Sequence, residues 1–343
     1  RGLDAFCYDP FMLDRQLQAI ADEPGWSRAL SDLVVDVGDL LDLLGLTHTD
    51  LGVDVDSAFP LRVPRGFVAR MRYGDSNDPL LRQVLPLAAE REPAVGFVED
   101  PLQEDEAVLA PAVIQKYAGR VLLIAAGECA VHCRYCFRRN FPYGQHRLRV
   151  SAESLSAIRA DHTISEVIAS GGDPLMLTDR HWERLLDELE SIAHVRRLRI
   201  HTRLPVVIPS RLTLRLIDRL AASWLQVVVV VHVNHPNEIG AELAQGTGEL
   251  VRRGVTVLNQ AVLLAGVNDS ADVLVQLSEA LFAAQILPYY LHLLDPVAGT
   301  RHLQVEEERA CALHAEIRDC LPGYLVPRLA REVPGQTAKQ WLA

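Results

Sequence analysis

Apolar positions change their spacing once along this chain, near residue 120. Before that point they recur every three or four residues. Residues 14–21 and 27–44 carry the helical period. Leu33, Val34, Val37, Leu40, Leu41 and Leu44 form the clearest stripe, which reads as a face turned to the core. Pro60, Pro64 and Pro79 punctuate the next stretch. Residues 67–73 fit one short helix, and the acidic, proline-containing stretch 90–101 fits a surface connector. Beyond residue 120, short β-branched runs alternate with helical patterns. Residues 121–126, 166–170, 198–202, 225–233, 255–262 and 286–294 read as six strands. Helical patterns begin at Ser151 and cover 179–192, 212–222, 237–253 and 271–284. This alternation predicts an α/β fold, a parallel sheet with right-handed crossovers. The largely apolar strands predict that both sheet faces are covered. A closed eight-unit barrel takes about 250 residues and only roughly 220 remain, so a partial barrel of six β/α units is expected. The division expected is a mainly helical N-terminal region, 1–110, followed by the partial barrel, 111–343.

Composition narrows the class. The 343 residues are 49% apolar and 23% charged, which excludes wholesale disorder. With 21 glycines and 19 prolines the chain is neither collagenous nor of low complexity. The formal charge of −11 makes nucleic acid a poor default partner, since phosphate binding needs clustered Lys and Arg. Six cysteines are too sparse for a secreted disulfide scaffold. The longest strongly apolar run, around 225–233, is well short of a membrane span. No charged-then-apolar signal pattern stands at the N-terminus, although a start at Arg1 leaves room for a preceding segment. A cytoplasmic, soluble protein is expected.

Cys129, Cys133 and Cys136 form C-x3-C-x2-C in the loop after the first strand of the alternating region. Thiolates packed this closely hold metal. Structural zinc takes four protein ligands, and only three cysteines cluster here; His132 adjoins Cys133 without finger spacing. Three thiolates suit a four-iron cluster with one iron open to an outside ligand. Cys7, Cys311 and Cys320 are expected to be buried small hydrophobes. Gly171-Gly172-Asp173-Pro174 follows the second strand, one β/α unit after the cysteines; its glycines would let the backbone approach a ligand closely.

The C-x3-C-x-aromatic-C pattern, with Tyr135 as the aromatic, resembles the radical S-adenosylmethionine (SAM) superfamily. The resemblance implies a [4Fe-4S] cluster on Cys129, Cys133 and Cys136, with SAM on its open iron. It assigns Tyr135, Gly171, Gly172, Asp173 and Gln260 to SAM binding. Such a cofactor radical is what unactivated C–H bonds require.

Longer runs narrow the resemblance. They are Cys129-Ala-Val-His-Cys-Arg-Tyr-Cys-Phe-Arg138-Arg139, Ser170-Gly-Gly-Asp-Pro-Leu, His201-Thr-Arg203-Leu-Pro, Asn234-His-Pro-Asn-Glu238 and Asn259-Gln260-Ala-Val-Leu-Leu-Ala-Gly266-Val-Asn-Asp269. In this order they resemble the lysine 2,3-aminomutase family. The short form is most similar, the one that supplies (R)-β-lysine for modifying elongation factor P through a separate ligase. The resemblance implies pyridoxal phosphate on Lys339, its phosphate near Lys116, Tyr117 and Arg120. It implies that Arg138 receives the substrate carboxylate and that Asp295 and Glu332 clamp the distant ammonium. Longer relatives bind zinc through cysteines that this chain lacks: Ser270 follows Asp269, and no cysteine follows Cys320, so structural zinc is not expected. A reductant such as flavodoxin and a homo-oligomer also belong to the implied picture; nucleic acid and membrane do not. The competing readings are an aminomutase for another amino acid such as glutamate, an iron–sulfur electron carrier and a zinc-stabilised interaction protein.

Overall fold

The computed structural model describes residues 24–48, 51–141 and 150–343. Cys7 and the helix expected over 14–21 lie outside them. Where one helix was expected over 27–44 there are two, α1 (Pro24–Ser31) and α2 (Val37–Leu44), split by β1 (Leu33–Val34). The break has two causes. β1 pairs antiparallel with β2 (Val63–Pro64), and the Asp36 carboxylate caps α2 by accepting from the Asp39 N–H at 3.0 Å. The apolar stripe still reaches the core through Val34, Val37, Leu40, Leu41 and Leu44. In 67–73 only α3 (Arg65–Val68) is helical. Beyond it the Arg72 N–H turns to Asp78 Oδ2 at 3.0 Å, a side-chain acceptor in place of the next helical carbonyl. The connector at 90–101 is not wholly superficial, because the Glu90 carboxylate is buried between Arg134 and Arg139.

The main sheet has ten strands: β3 (Val108–Ala110), β4 (Val113–Tyr117), β5 (Arg120–Ala126), β6 (Glu166–Gly171), β7 (Arg197–Thr202), β8 (Gln226–Val231), β9 (Thr256–Val262), β10 (Leu287–His292), β11 (Arg328–Arg331) and β12 (Gln340–Trp341). Strand order in space is strand order in sequence. β5 to β11 run parallel, each beside the next; β3, β4 and β12 are antiparallel additions at the two ends. The six expected strands are β5 to β10. The additions carried no comparable signal: β11 is four residues and β12 two, and β4 runs from Val113-Ile114 into Gln115-Lys116-Tyr117. This is the α/β partial-barrel arrangement, wound in one direction and left open.

The connecting helices are α4 (Ala152–Ala160), α5 (Asp179–Glu190), α6 (Leu204–Val207), α7 (Leu214–Ala221), α8 (Ala241–Arg252), α9 (Ala271–Ala283) and α10 (Glu307–Cys320). α5 shows why they pack. Thr178 caps it, and Trp182, Leu185, Leu186 and Leu189 place one apolar stripe in the core. Burying each such side chain stabilises the fold by roughly 1.5–3 kcal/mol. The alternation along the strands separates two faces. Leu123, Val167, Leu198, Ile200, Val229 and Val257 enter the hydrophobic core. Ser170, Arg199, His201, Gln260, Tyr290 and His292 point instead into a cavity. One face of the sheet is thus apolar, and the cavity face mixes these polar groups with Leu122, Ile168 and Val262. Of the cysteines expected to be buried, Cys311 is half-buried and Cys320, the last residue of α10, is exposed.

Candidate functional site

Every site residue expected from the sequence lines one cavity of about 490 Å³ on the inner face of the sheet. At one end stands the loop after β5, which carries Cys129, Cys133 and Cys136. The N-terminal region grips this loop from behind. The His132 N–H donates to Arg62 O at 2.9 Å, and its ring stacks on Phe59 at 4.7 Å and contacts Pro60 O through Nδ1 at 2.8 Å. His132, the one side chain weighed as a fourth metal ligand, thus faces away from the three thiols. Arg134, wholly buried, donates its backbone N–H to Gln83 O and its guanidinium to Glu90, Phe59 O and Ser57. Glu90, Gln83 and Phe59 carry no local pattern that marks them; their partners lie tens of residues away.

Gly171 and Gly172 answer to the chain itself. Gly171 sits at φ 124°, and a Cβ there would stand 2.3 Å from Ala126 O. A Cβ on Gly172 would stand 2.4 Å from Glu128 O. The glycines allow the end of β6 to close against the start of the cysteine loop. Gly172→Ala is accordingly expected to destabilise the fold by ~1–3 kcal/mol, as overpacking does, and to lower iron uptake. Thermal melting and iron per chain measure both, and full iron loading at an unchanged melting temperature would remove this account of the turn.

Burial pushes the three thiols up, Cys136 to about 11. They are neutral thiols in the bare chain, and a bound metal would deprotonate them. Asp173 lines the cavity, yet its carboxylate is taken up by the protein. Oδ1 accepts from Leu175 N and Thr202 Oγ1, and Oδ2 from Arg203 N and Leu204 N. These bonds lock the end of β6 to the end of β7 and hold Asp173 at the cavity wall. Tyr135 stacks on His232, with its hydroxyl 2.9 Å from Nε2. Gln260 Nε2 lies 3.4 Å from His201 Nδ1.

The other end is built by β4, β5 and the β11–β12 hairpin. A two-residue turn with Gly119 at φ 76° sets Tyr117 opposite Arg120, and the Arg120 guanidinium lies 5.1 Å above the Tyr117 ring. Glu332 follows β11 and Lys339 precedes β12, so both sit in one hairpin loop. Glu332 accepts from Lys339 Nζ at 2.6 Å and from Lys116 Nζ at 2.7 Å. Burial alone would raise the Glu332 carboxyl, but Lys339 and Lys116 hold it well below the usual carboxylate range. Asp295, enclosed nearby, is pushed up to about 7 by burial and by the charge of Glu332. Burial and Glu332 likewise push the Tyr117 hydroxyl up.

The wall also holds buried donors that have no hydrogen-bond partner among the described residues, Arg120 Nε and Arg203 Nε and Nη1, and beside them His201 Nε2, whose role follows its tautomer. Orphaned donors cost free energy unless a ligand supplies acceptors. The cavity therefore fits ligands carrying phosphate or carboxylate, with three sulfur donors at one end and two lysine amines, Lys116 and Lys339, at the other.

No family model matches the chain. It is similar to a protein named L-lysine 2,3-aminomutase from Escherichia coli (strain K12), 46% identical over 319 residues, 92% of this chain and 93% of that one. It is 43% identical over 336 residues to a protein of the same name from Buchnera aphidicola, 96% of this chain and 98% of that one. Among solved structures it is similar to a radical SAM methyltransferase from Sphaerobacter thermophilus, with TM-score 0.44 and 20% identity over 64% of this chain and 68% of that one.

Proposed function

The chain belongs to the L-lysine 2,3-aminomutase family, and from that premise we propose that it is a radical SAM isomerase moving the amino group of L-lysine from C2 to C3. The carrying observation is that three clustered cysteines and Lys339 face one cavity although they come from opposite ends of the sheet. Cys129, Cys133 and Cys136 would hold a [4Fe-4S] cluster. Tyr135, Gly171, Gly172, Asp173 and Gln260 would border SAM. Lys339 would anchor pyridoxal phosphate, with Tyr117, Arg120 and Lys116 beside it. When bound, the cluster with SAM supplies a radical able to take hydrogen from an unactivated carbon, and pyridoxal phosphate supplies a ring that spreads unpaired spin.

The protein's own work is placement. Arg138 offers a planar cation for the substrate carboxylate. Asp295 and Glu332 offer two acidic groups for the far ammonium. The curved sheet walls the reacting carbons on several sides, which would limit water there, and fixed geometry would supply much of the rate. A substrate with an acidic tail, such as glutamate, would meet Asp295 and Glu332 with like charge. An electron carrier would have no use for Lys339 and the basic wall near it.

Asp295 gives the reaction a pH signature. Its raised pKa leaves it neutral below about 7 and charged above. Attraction for a cationic tail is thus present at higher pH and lost as pH falls. kcat/KM for L-lysine is expected to drop up to about tenfold from pH 8 to pH 6, since this ratio reports the free enzyme. In Asp295→Asn the slope over that interval should vanish; an unchanged slope would assign the titration to another group.

The test of the reaction is anaerobic. Enzyme carrying cluster and pyridoxal phosphate is reduced with SAM and L-lysine present, and the product is resolved by chiral chromatography. (R)-β-lysine is expected; no β-lysine from fully loaded enzyme defeats the reading. The remaining assignments belong to the same proposal: the product passes to a separate ligase that modifies elongation factor P, and flavodoxin or a similar carrier reduces the cluster. A cytoplasmic location goes with them; no described helix is long and apolar enough to cross a membrane.

A further inference from the structure

Glu104 stands where the two ends of the cavity share a counter-ion. It opens a 3-10 turn, Glu104–Ala107, that leads into β3. The residue before it, Gln103, is left-handed at φ 50°, a conformation that persists in a non-glycine residue only where the surroundings enforce it. The turn delivers a buried carboxylate to the cavity wall. Oε2 accepts from Arg138 Nε at 2.7 Å and Oε1 from Arg138 Nη2 at 2.9 Å. Lys116 Nζ is also 3.1 Å from Oε1. Lys116 in turn meets Glu332, which meets Lys339. Charges alternate along the series Arg138, Glu104, Lys116, Glu332, Lys339. The Arg138 side chain is fixed elsewhere too: Nη1 donates to Ser170 Oγ at 3.0 Å and Gly171 O at 3.1 Å, and the guanidinium covers the Phe137 ring at 4.8 Å. In a buried series of this kind no member can move without stranding the charge of its neighbour.

We propose that Glu104 is a positioning residue that holds Arg138 and Lys116 on one carboxylate, so that the anion-binding and cation-binding ends of the cavity are spaced before substrate enters. This rests on the reading in which Arg138 receives the amino acid carboxylate. Glu104 touches neither substrate nor cofactor in this scheme; it acts through Arg138. Its carboxylate takes the Nε–Nη2 edge of the guanidinium and, together with Ser170 and Gly171 on Nη1, fixes the plane and position of that cation in the cavity wall.

Holoenzyme loaded with oxidised cluster, SAM and pyridoxal phosphate does not turn over, so L-lysine binding can be titrated calorimetrically. Glu104→Gln is expected to weaken binding about tenfold or more, in line with the loss of one partner of a buried charge pair. Arg138→Gln should weaken it at least as much. The double variant should bind within about twofold of Arg138→Gln alone, the non-additivity expected of residues acting as one unit. Additive losses would overturn the proposal, because a general structural effect adds. Wild-type affinity in a Glu104→Gln protein with an unchanged melting temperature would overturn it as well. Should that variant not fold, Glu104→Asp, charged but one methylene short, takes its place with the same expectations. A fully loaded wild type that does not bind L-lysine defeats the functional reading itself, and is thereby distinguished from a failure confined to Glu104.

Discussion

Cys133→Ala is expected to lower turnover at least ~10⁴-fold, near the complete loss that follows removal of a group the chemistry cannot proceed without. The three thiols occupy one wall of the cavity, and each would take one iron corner. With two thiolates, a second iron loses its protein ligand and the cube is no longer held against a single open corner. Iron per chain, the brown absorbance and reductive cleavage of SAM should fall together. Cys320→Ala is the matched control: Cys320 is exposed at the end of α10, and all three readouts should match wild type. A Cys133→Ala protein with about four irons per chain and wild-type SAM cleavage would place the cluster on other ligands.

The second large effect concerns Lys339. Lys339→Ala is expected to cost at least ~10³-fold in turnover, because the covalent anchor of a cofactor cannot be replaced by contacts alone. Borohydride reduction followed by peptide mass mapping should find pyridoxal phosphate on Lys339 in wild type and nowhere in the variant. Lys339 also neutralises Glu332 at 2.6 Å, so the alanine variant perturbs two things at once. Lys339→Arg separates them. Arginine keeps a cation beside Glu332 but is not a nucleophile at neutral pH. It should retain the wild-type melting temperature and still lack the adduct and the activity. An adduct persisting in either variant would move the anchor to another lysine.

The central strands were legible because buried parallel strands are continuous apolar runs, and 121–126 or 225–233 admit few other readings. The break between α1 and α2 was not, because Leu33 and Val34 fit a helical stripe and a strand equally well; only the distant partner Val63–Pro64 decides. β11 and β12 escaped because strands of four and two residues have no periodicity to read. In the site, the cysteine spacing spoke for itself, whereas Lys339, Arg138, Asp295 and Glu332 emerged through resemblance. Glu90 and Glu104 escaped both routes. Each is one acidic residue in an acidic stretch, and what sets it apart is an arginine 34 to 49 positions further on. Tertiary pairing of that kind leaves no mark on local pattern.

The sheet adds its strands in the order in which the ribosome makes them. The cysteine loop leaves the exit tunnel roughly 200 residues ahead of Lys339, which at ~5–20 residues per second is an interval of about 10–40 s. Throughout that interval the sulfur-bearing half can exist without the hairpin that completes the opposite wall. Under the proposed function, a cluster could be delivered to thiols on an open half-bowl, whereas the vitamin-derived partner would find its lysine only after β12 has been made.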